Sequence, residues 1–393
     1  MIRLAGAKPR RAGLPVAAER PRLHKDGFVM SASGDEMASG SRPDPTQESS
    51  GLAGMSSAYF GLVMATGIVS LAAFMLGHRP LAMALFHLNT VQYALLCALY
   101  ALRAWRHPRQ FFGDMLAHAT GPGYFTAVAG TGILASQFMI LQGDTAMGKV
   151  LWLLTAVLWL ALTYTIFVAF TVRREKPTLD KGINGGWLLA VVATQALSVT
   201  SALLAARNGV PYRLELNFLA LATWLWGGML YIWMMALIFY RHNFFRLSPD
   251  ELTPPYWINM GAMAISTLAG SLLILNAPQA PLLASLAPFL KGFTIFYWAA
   301  GSWWIPMLLL LGVWRHGHQR FPLRYDPLYW GAVFPLGMYA ACTWQLDQAM
   351  ELGFLAGLTR AFFYIALLAW ALTFAGMLHD LARRLRHRPA GPS

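Results

Sequence analysis

The sequence predicts an all-α polytopic membrane protein with ten transmembrane helices, arranged as five hairpins with a pseudo-fivefold relation around a central pore. Three observations predict this fold class. Hydrophobic residues make up 57% of the 393-residue chain, and charged residues only 12%. Several apolar runs reach the roughly 20 residues that are needed to span a bilayer. One short motif recurs at the start of several runs, which indicates equivalent helices placed around a common axis.

Ten apolar runs are predicted to be membrane-spanning helices, because they are long and mostly lack a polar face. They lie at residues 58–77, 81–102, 124–141, 150–171, 186–206, 218–240, 257–275, 292–314, 328–344 and 354–378. Together they predict a transmembrane domain over residues 56–380. Residues 1–55 are polar, basic and rich in Gly, Ser and Pro, which predicts a disordered cytoplasmic tail. A second basic cytoplasmic tail is predicted over residues 381–393.

The recurring motif combines an aromatic pair with small residues at fixed spacing. Residues 59–68 (YFGLVMATGI) and 124–133 (YFTAVAGTGI) are near copies. Residues 329–337 (YWGAVFPLG) keep the Tyr, the next aromatic residue, the Val and the final Gly, and looser versions occupy residues 187–195 and 256–262. All five lie at the start of an odd-numbered run, so the odd helices are predicted to line the centre. The alternative is that interfacial aromatics and small residues are common in any transmembrane bundle.

The net charge of +13 is concentrated on one side of the predicted helices. If the N-terminus is inside, most of the 30 Lys and Arg residues fall in inside segments. The outside segments then keep Arg79, Lys149, Arg207, Arg213, Lys291 and Arg360. This positive-inside bias predicts that both termini are cytoplasmic, in a multi-pass protein of the plasma (inner) membrane. The charge therefore indicates topology, and no nucleic-acid partner is predicted.

The predicted spans carry neutral polar groups and lack charged ones away from their ends. This pattern disfavours a cation or proton pathway and favours an anion pathway, because a buried carboxylate would repel an anion. The available groups are Thr66, Thr131, Gln137, Thr194, Gln195, Asn259 and Ser266. Basic residues at the inside mouth are expected to raise the local anion concentration. The alternative is that the polar side chains hydrogen-bond neighbouring helices.

No metal, cofactor or catalytic site is predicted. Cys97 and Cys342 are the only cysteines and lie in apolar runs, and His87 is the only histidine well inside a span. The rival class is a membrane-embedded enzyme that acts on a lipid or a quinone. Its candidate residues are Trp257, Asn259, Tyr325 and Asp326. A structural or cofactor-binding scaffold is a third option, but it lacks paired ligands.

Several segments resemble the tellurite-resistance/dicarboxylate transporter family, which includes plant slow-type anion channels and fungal malate and sulfite transporters. Residues 60–70 resemble its first helix, and residues 254–262, 303–306 and 333–339 resemble its seventh, eighth and ninth helices. The similarity covers roughly residues 55–380. One departure is Ser56-Ser57, where the family often has proline before the first-helix aromatic residue.

The resemblance implies ten helices, an inner ring of kinked odd helices, and a conducting path through each protomer of a homotrimer. It also implies that a phenylalanine of the ninth helix blocks the pore. In this chain that residue is Phe334, directly before Pro335. An aromatic ring can occlude a narrow apolar pore and clear it by a rotamer change, while proline fixes the helix kink. The motif aligns Met64 and Ala129 with Phe334 on the first and third helices.

The predicted pathway therefore has Phe334 and Pro335 as its gate and a set of small or polar residues as its lining. The lining candidates are Met64, Thr66, Gly67, Gly130, Thr131, Gly132, Thr194, Gln195, Gly261, Ser266 and Gly337. The candidate substrates are small anions: C4-dicarboxylates such as malate, tellurite, sulfite, chloride and nitrate. Channel and proton-coupled carrier both stay open, since a cytoplasmic histidine or Asp326 offers a site for a proton.

Overall fold

The computed structural model describes residues 51–207 and 209–386, and this part of the chain is helical and contains no strand. Its ten helices of 13 residues or more match the ten predicted runs. We label them α1 (Gly61–Met75), α2 (Arg79–Arg106), α3 (Phe125–Gln137), α4 (Thr145–Val172), α5 (Leu189–Ala205), α6 (Arg213–Phe244), α7 (Ile258–Asn276), α8 (Ala287–Val313), α9 (Trp330–Met350) and α10 (Ala356–Arg386). The predicted all-α class is confirmed. Of the two predicted tails, residues 1–50 and 387–393 lie outside the described residues, and residues 381–386 belong to α10.

Within the described chain, eight segments are long and apolar enough to cross a membrane, as judged by length and composition. They contain α2 to α8 and α10, some with the short turns that flank them. Helix α1 is apolar but shorter, with 15 residues, and α9 is not among the eight. The multi-pass membrane character is therefore confirmed, while the count of ten spans stays a prediction.

Helices α1, α3, α5, α7 and α9 form an inner ring. Each contacts the next in this order, and α9 contacts α1, so the ring is closed. Each inner helix also packs against the outer helix that follows it in the chain, which gives the pairs α1–α2, α3–α4, α5–α6, α7–α8 and α9–α10. This order of contacts agrees with five hairpins around a centre. The pseudo-fivefold symmetry itself stays a prediction.

The inner helices begin in tight turns that carry the aromatic residues of the repeated motif. Four of these turns are 3₁₀ helices, at Gly121–Tyr124, Gly185–Leu188, Pro254–Trp257 and Pro327–Tyr329. Proline suits such a position, because its fixed φ matches a helix start and the first N–H groups have no partner within the helix. At the other end, α1 is followed by Gly77 with φ of 84°, a left-handed conformation that glycine adopts without strain.

Candidate functional site

The N-terminal ends of all five inner helices surround an open vestibule of about 710 Å³. Each inner helix or the turn before it supplies lining residues, for example Ser57, Pro122, Gly186, Pro255 and Leu328. The positive ends of five helix dipoles therefore converge on one aqueous space. Such an arrangement favours an anion over a cation.

The charged side chains that line the vestibule have both signs. Two are basic, Lys181 and Arg241, and three are acidic, Asp180, Glu251 and Asp326. Asp326 accepts a hydrogen bond from the Leu328 backbone N–H at 2.7 Å and so begins the turn before α9. The hydrogen bond from Thr178 lowers the pKa of Asp180, which keeps this carboxyl ionised. The expected excess of basic side chains at this mouth is thus absent from the described lining, and the helix ends supply its positive potential.

Two arginines near the N-terminal ends of the inner helices are buried and bonded to other side chains. Arg241 is 5% exposed, pairs with Glu251 at 3.3 Å, and donates hydrogen bonds to the Tyr256 hydroxyl and the Asp180 carbonyl. Arg103 is 1% exposed, pairs with Asp114, and donates to the Tyr124 hydroxyl at 3.2 Å. Tyr124 and Tyr256 occupy the same place in the repeated motif. Each arginine therefore fixes the end of an outer helix to the start of the next inner helix.

A second, narrow cavity lies between the C-terminal halves of the inner helices, with about 30 Å³ open to water. All five inner helices contribute apolar side chains to it, including Ile68, Ile133, Val199, Leu268 and Met338. Two polar side chains, Ser136 and Gln345, are also present. Its volume is enough for only one or two water molecules.

Between the vestibule and this cavity lies one level of the inner helices whose residues line neither space, and we call this level the constriction. One helical turn before the cavity, each inner helix presents a residue on the same face, because a side chain four positions earlier lies on the same side of a helix. These five constriction residues are Met64, Ala129, Val192, Gly261 and Phe334, and all are buried. They are also the five residues that the repeat aligns. Phe334 is 1% exposed and is the only aromatic residue of the five.

Close contacts on both sides of Phe334 fix the position of α9. A Cβ atom added to Gly261 of α7 would lie 2.7 Å from Cγ of Pro335, so the proline ring packs directly on the glycine. A Cβ atom added to Gly337 would lie 2.9 Å from a methyl group of Ile68 on α1. The two glycines therefore allow α9 to approach both neighbours in the ring at the level of Phe334.

The threonine candidates lie against the outer helices. The Thr66 hydroxyl accepts a hydrogen bond from Trp370 Nε1 at 3.0 Å, and the Thr194 hydroxyl accepts one from Trp159 Nε1 at 2.9 Å. The Thr131 hydroxyl bonds the Tyr93 hydroxyl at 3.0 Å. Each partner belongs to the outer helix of the preceding hairpin, with α10 preceding α1. These hydroxyls are thus engaged in helix contacts and are not part of the cavity lining.

The other lining candidates divide between packing and pathway. Gln195 donates to the Trp224 carbonyl at 3.0 Å, and the Ser266 hydroxyl donates to the Ala262 carbonyl at 2.8 Å within its own helix. Gly67 and Gly130 contact neighbouring helices, as Gly337 does. Gly132 faces Ala196 and also lines the cavity. Met64 and Gly261 are at the constriction. Of the eleven candidates, one therefore lines the cavity and two lie at the constriction level.

The three threonines were named as lining candidates, with hydrogen bonds to neighbouring helices as the alternative, and the structure shows those bonds. They occur at the same position of the repeat, seven residues after its first aromatic residue, and such a regular position pointed to a shared kind of partner. The contacts of the motif tyrosines were missed although a signal existed. The motif tyrosines likewise recur with an arginine near the end of the preceding outer helix. What the sequence does not reveal is the partner, because it lies on a different helix.

Among the described residues, no group of three or more His, Cys, Asp or Glu side chains is placed to hold a metal ion. The residues proposed for an enzyme do not form one site either. Asn259 is fully buried in the first turn of α7, whereas Asp326 lines the vestibule. The site thus combines a wide vestibule, a constriction level with one aromatic ring, and a narrow apolar cavity.

Comparison with known proteins identifies the family. Residues 54–378 match the SLAC1 family, described as voltage-dependent anion channels. Since the match covers most of the chain, the protein belongs to this family, and it is an anion channel or transporter rather than an enzyme. The predicted resemblance is thereby confirmed.

Relatives of the chain occur in bacteria, archaea and fungi. An uncharacterized membrane protein of Mycobacterium tuberculosis is 39% identical over 153 residues, which are 39% of this chain and 77% of that protein. An uncharacterized transporter of Methanocaldococcus jannaschii is 23% identical over 295 residues, 73% of this chain and 83% of its own length. The sulfite efflux pump SSU1 of Trichophyton rubrum is 23% identical over 345 residues, 81% of this chain and 88% of the pump.

Proposed function

We propose that the protein conducts small monovalent anions along the axis of its inner ring and that Phe334 closes this path. The observation that carries the proposal is the position of Phe334. It is the one large ring at a constriction that lies between an open vestibule and a narrow cavity. A rotation of this side chain away from the axis would join the two spaces. Pro335 and its contact with Gly261 hold the backbone of α9 while the side chain moves.

The preference for a single negative charge follows from the lining. All side chains at the constriction and in the cavity are neutral, so none can form an ion pair with a carboxylate or an oxyanion. The cost of moving an ion from water into a medium of low dielectric constant rises with the square of its charge. A dianion such as malate or sulfite therefore faces a much larger barrier than chloride, nitrate or singly protonated sulfite. The relative named as a sulfite efflux pump supports including the last of these.

We also propose a membrane, an orientation and an oligomeric state for the protein. The bias of Lys and Arg supports a position in the plasma (inner) membrane with both termini cytoplasmic, so that the vestibule opens to the cytoplasm. The resemblance to the plant channels supports a homotrimer in which each protomer has its own path. Gating by voltage, ligand or modification is no part of this proposal.

The test is anion flux in proteoliposomes that contain the purified full chain. Phe334→Ala is expected to raise chloride and nitrate flux at least tenfold while the protein still assembles, because removal of the ring opens the constriction. Phe334→Leu is expected to leak to a smaller extent. Malate flux should stay low in both variants, since the neutral lining is unchanged.

The matched control is Phe363→Ala. Phe363 is also fully buried, but it lies on α10 and stacks on His78 with ring centres 5.5 Å apart. Loss of packing at either phenylalanine costs roughly 3–5 kcal/mol, so both variants lose stability, and only Phe334→Ala should gain flux. Equal flux in the wild-type protein and both Phe334 variants, at normal protein levels, would place the gate elsewhere, with Met64 as the next residue to test.

A further inference from the structure

A groove of about 350 Å³ lies on the outside of the ring, between α9 and α10 and next to the loop that precedes α9. Its volume falls in the range of small-molecule sites. The walls are mostly apolar: Ala332 and Val333 on α9, and Ala369, Leu372 and Gly376 on α10. The three α10 residues are spaced over two helical turns, so the groove runs along the helix and fits an extended hydrocarbon chain.

The end of the groove nearest the vestibule is polar. Arg324 and Tyr325 line it there, in the loop two residues or fewer from Asp326 of the vestibule. The ring of Tyr325 packs on Gly376, where an added Cβ would lie 3.3 Å from Cδ2. The Tyr325 hydroxyl accepts a hydrogen bond from Trp330 Nε1 at 3.3 Å. Burial raises the pKa of Tyr325 to about 12, so the phenol keeps its proton and is able to donate it to an acceptor.

Arg324 differs from Arg315, Arg383 and Arg384, which lie close to this end of α9 and α10. Arg315 is 8% exposed and lies over the Phe321 ring at 4.3 Å from its centre. Arg383 and Arg384 pair with Asp380 at 2.9 and 2.7 Å. The exposed Arg324 guanidinium has neither a hydrogen-bond nor an ion-pair partner among residues 51–207 and 209–386. An unpaired cation therefore stands at the open end of an apolar groove at the membrane boundary.

We propose that this groove binds an anionic phospholipid, with its phosphate on Arg324 and Tyr325 and one acyl chain between α9 and α10. Basic pockets between transmembrane helices are suited to acidic lipid headgroups, because the charge meets the phosphate while the chain stays in hydrocarbon. An arginine forks around phosphate oxygens with two parallel N–H bonds. A zwitterionic lipid fits the apolar walls equally well, but there is no described carboxylate in the lining for its ammonium group.

The bound lipid also supports the gate helix. Ala332 lines the groove on the face of α9 opposite to Phe334, and Tyr329 lines it from the turn before α9. A ligand that fits the groove when Phe334 lies on the axis favours that arrangement over an open one. An acidic lipid is therefore expected to lower basal flux. This effect rests on the proposed function, whereas binding of the lipid does not.

The binding test uses the full chain in detergent with added phosphatidylglycerol or phosphatidylcholine. Phosphatidylglycerol is expected to raise the thermal unfolding midpoint of the wild-type protein by several degrees more than phosphatidylcholine does. Arg324→Gln should lose this difference. Arg246→Gln is the matched control, because it removes the same charge from an exposed position on the loop after α6, and it should keep the difference.

A second variant tests the shape of the groove. Thr373→Trp fills the groove from α10 and should abolish stabilisation by both lipids. No preference for phosphatidylglycerol in the wild-type protein, or equal losses in Arg324→Gln and Arg246→Gln, would overturn the proposal. The proposal would also be overturned if Thr373→Trp turned an oligomer into a monomer while the lipids had no effect on stability. That result would mean that the groove holds a second copy of the chain.

Anion flux tests the effect of the lipid on the gate separately from lipid binding. Adding phosphatidylglycerol to phosphatidylcholine vesicles should lower chloride flux through the wild-type protein by about twofold or more, and Arg324→Gln should not respond. If Phe334→Ala fails to gain flux while the lipid still stabilises the chain, the gate is wrong and the lipid site stands. If the lipid fails to bind while Phe334→Ala gains flux, the lipid site alone is wrong.

Discussion

The inner and outer helices of this protein have similar composition but opposite surroundings. In the most apolar window of each segment, 83%, 100% and 89% of residues are buried for α3, α5 and α7, against 17%, 22% and 11% for α4, α8 and α10. Inner helices contact one another closely at glycines, and the threonines of three of them bond aromatic residues of the outer helices. Outer helices present large apolar side chains outward. The difference teaches that a hydrophobic sequence alone does not tell lipid-facing from pathway-forming helices.

The largest expected contrast is between two helical glycines. Gly261→Val places a branched side chain where even a single Cβ would lie 2.7 Å from the rigid Pro335 ring, so α7 and α9 could no longer pack as closely. Overpacking of this kind costs roughly 3 kcal/mol. We expect a strong fall in the yield of folded protein and in its thermal midpoint, as measured by size-exclusion chromatography after heating.

Gly292→Ala on the outer helix α8 is the control for this prediction. A Cβ there meets nothing within 4 Å, and alanine favours helix by about 1 kcal/mol. The same assay should show an unchanged or slightly higher midpoint. Similar losses at both glycines would contradict the assignment of α7 to the ring and α8 to the periphery.

The second contrast concerns two arginines. Arg103→Gln leaves Asp114 and the Tyr124 hydroxyl without their buried partner, which weakens the attachment of α2 to the start of α3. Breaking a buried ion pair costs 3–5 kcal/mol, and the 41% exposure of Asp114 reduces this to about 2 kcal/mol. We expect a clear decrease in the denaturation midpoint in detergent. Arg383→Gln, at a side chain that is 64% exposed, should change stability by less than about 0.5 kcal/mol.

The smallest expected effect is the loss of one inner-to-outer hydrogen bond. Trp159→Phe keeps most of the aromatic surface but removes the Nε1 donor to Thr194. Hydrogen bonds between membrane helices contribute about 0.6 kcal/mol on average. Trp303→Phe is the matched change at an indole that is 57% exposed and has no hydrogen-bond partner in the described chain. Measured by denaturant unfolding, only the first variant should lose stability, and a larger loss in the second would break the comparison.

Much of the fold was predictable because it depends on local properties. The apolar runs correspond to the ten long helices, within several residues at their ends: the run at 58–77 became Gly61–Met75, and the run at 218–240 became Arg213–Phe244. The repeat also identified which helices form the ring, since its five copies begin α1, α3, α5, α7 and α9. The alignment of Met64, Ala129 and Phe334 within that repeat matches one level of the ring, one helical turn before the cavity, and their part in a pathway stays a prediction.

Side-chain direction was the part that could not be predicted. Threonine in an apolar run suits either a pore or a helix contact, and the choice depends on whether a neighbouring helix offers a donor at that height. Trp370 is 304 residues from Thr66 in the chain, yet the two side chains are bonded. The same holds for charge: composition shows many arginines at one end, but not that Arg103 and Arg241 are buried beside carboxylates.

The sequence by itself determined the membrane class, the positions of the helices, the repeat and the family, because hydropathy and motif spacing are properties of neighbouring residues in one chain. Only the tertiary structure decided that Phe334 is buried at the level between the vestibule and the cavity, that glycines allow the ring helices to pack closely, and that the vestibule mixes three carboxylates with two basic groups. Those features depend on which helices meet and at what height, and they arise from packing between segments that are far apart in the sequence.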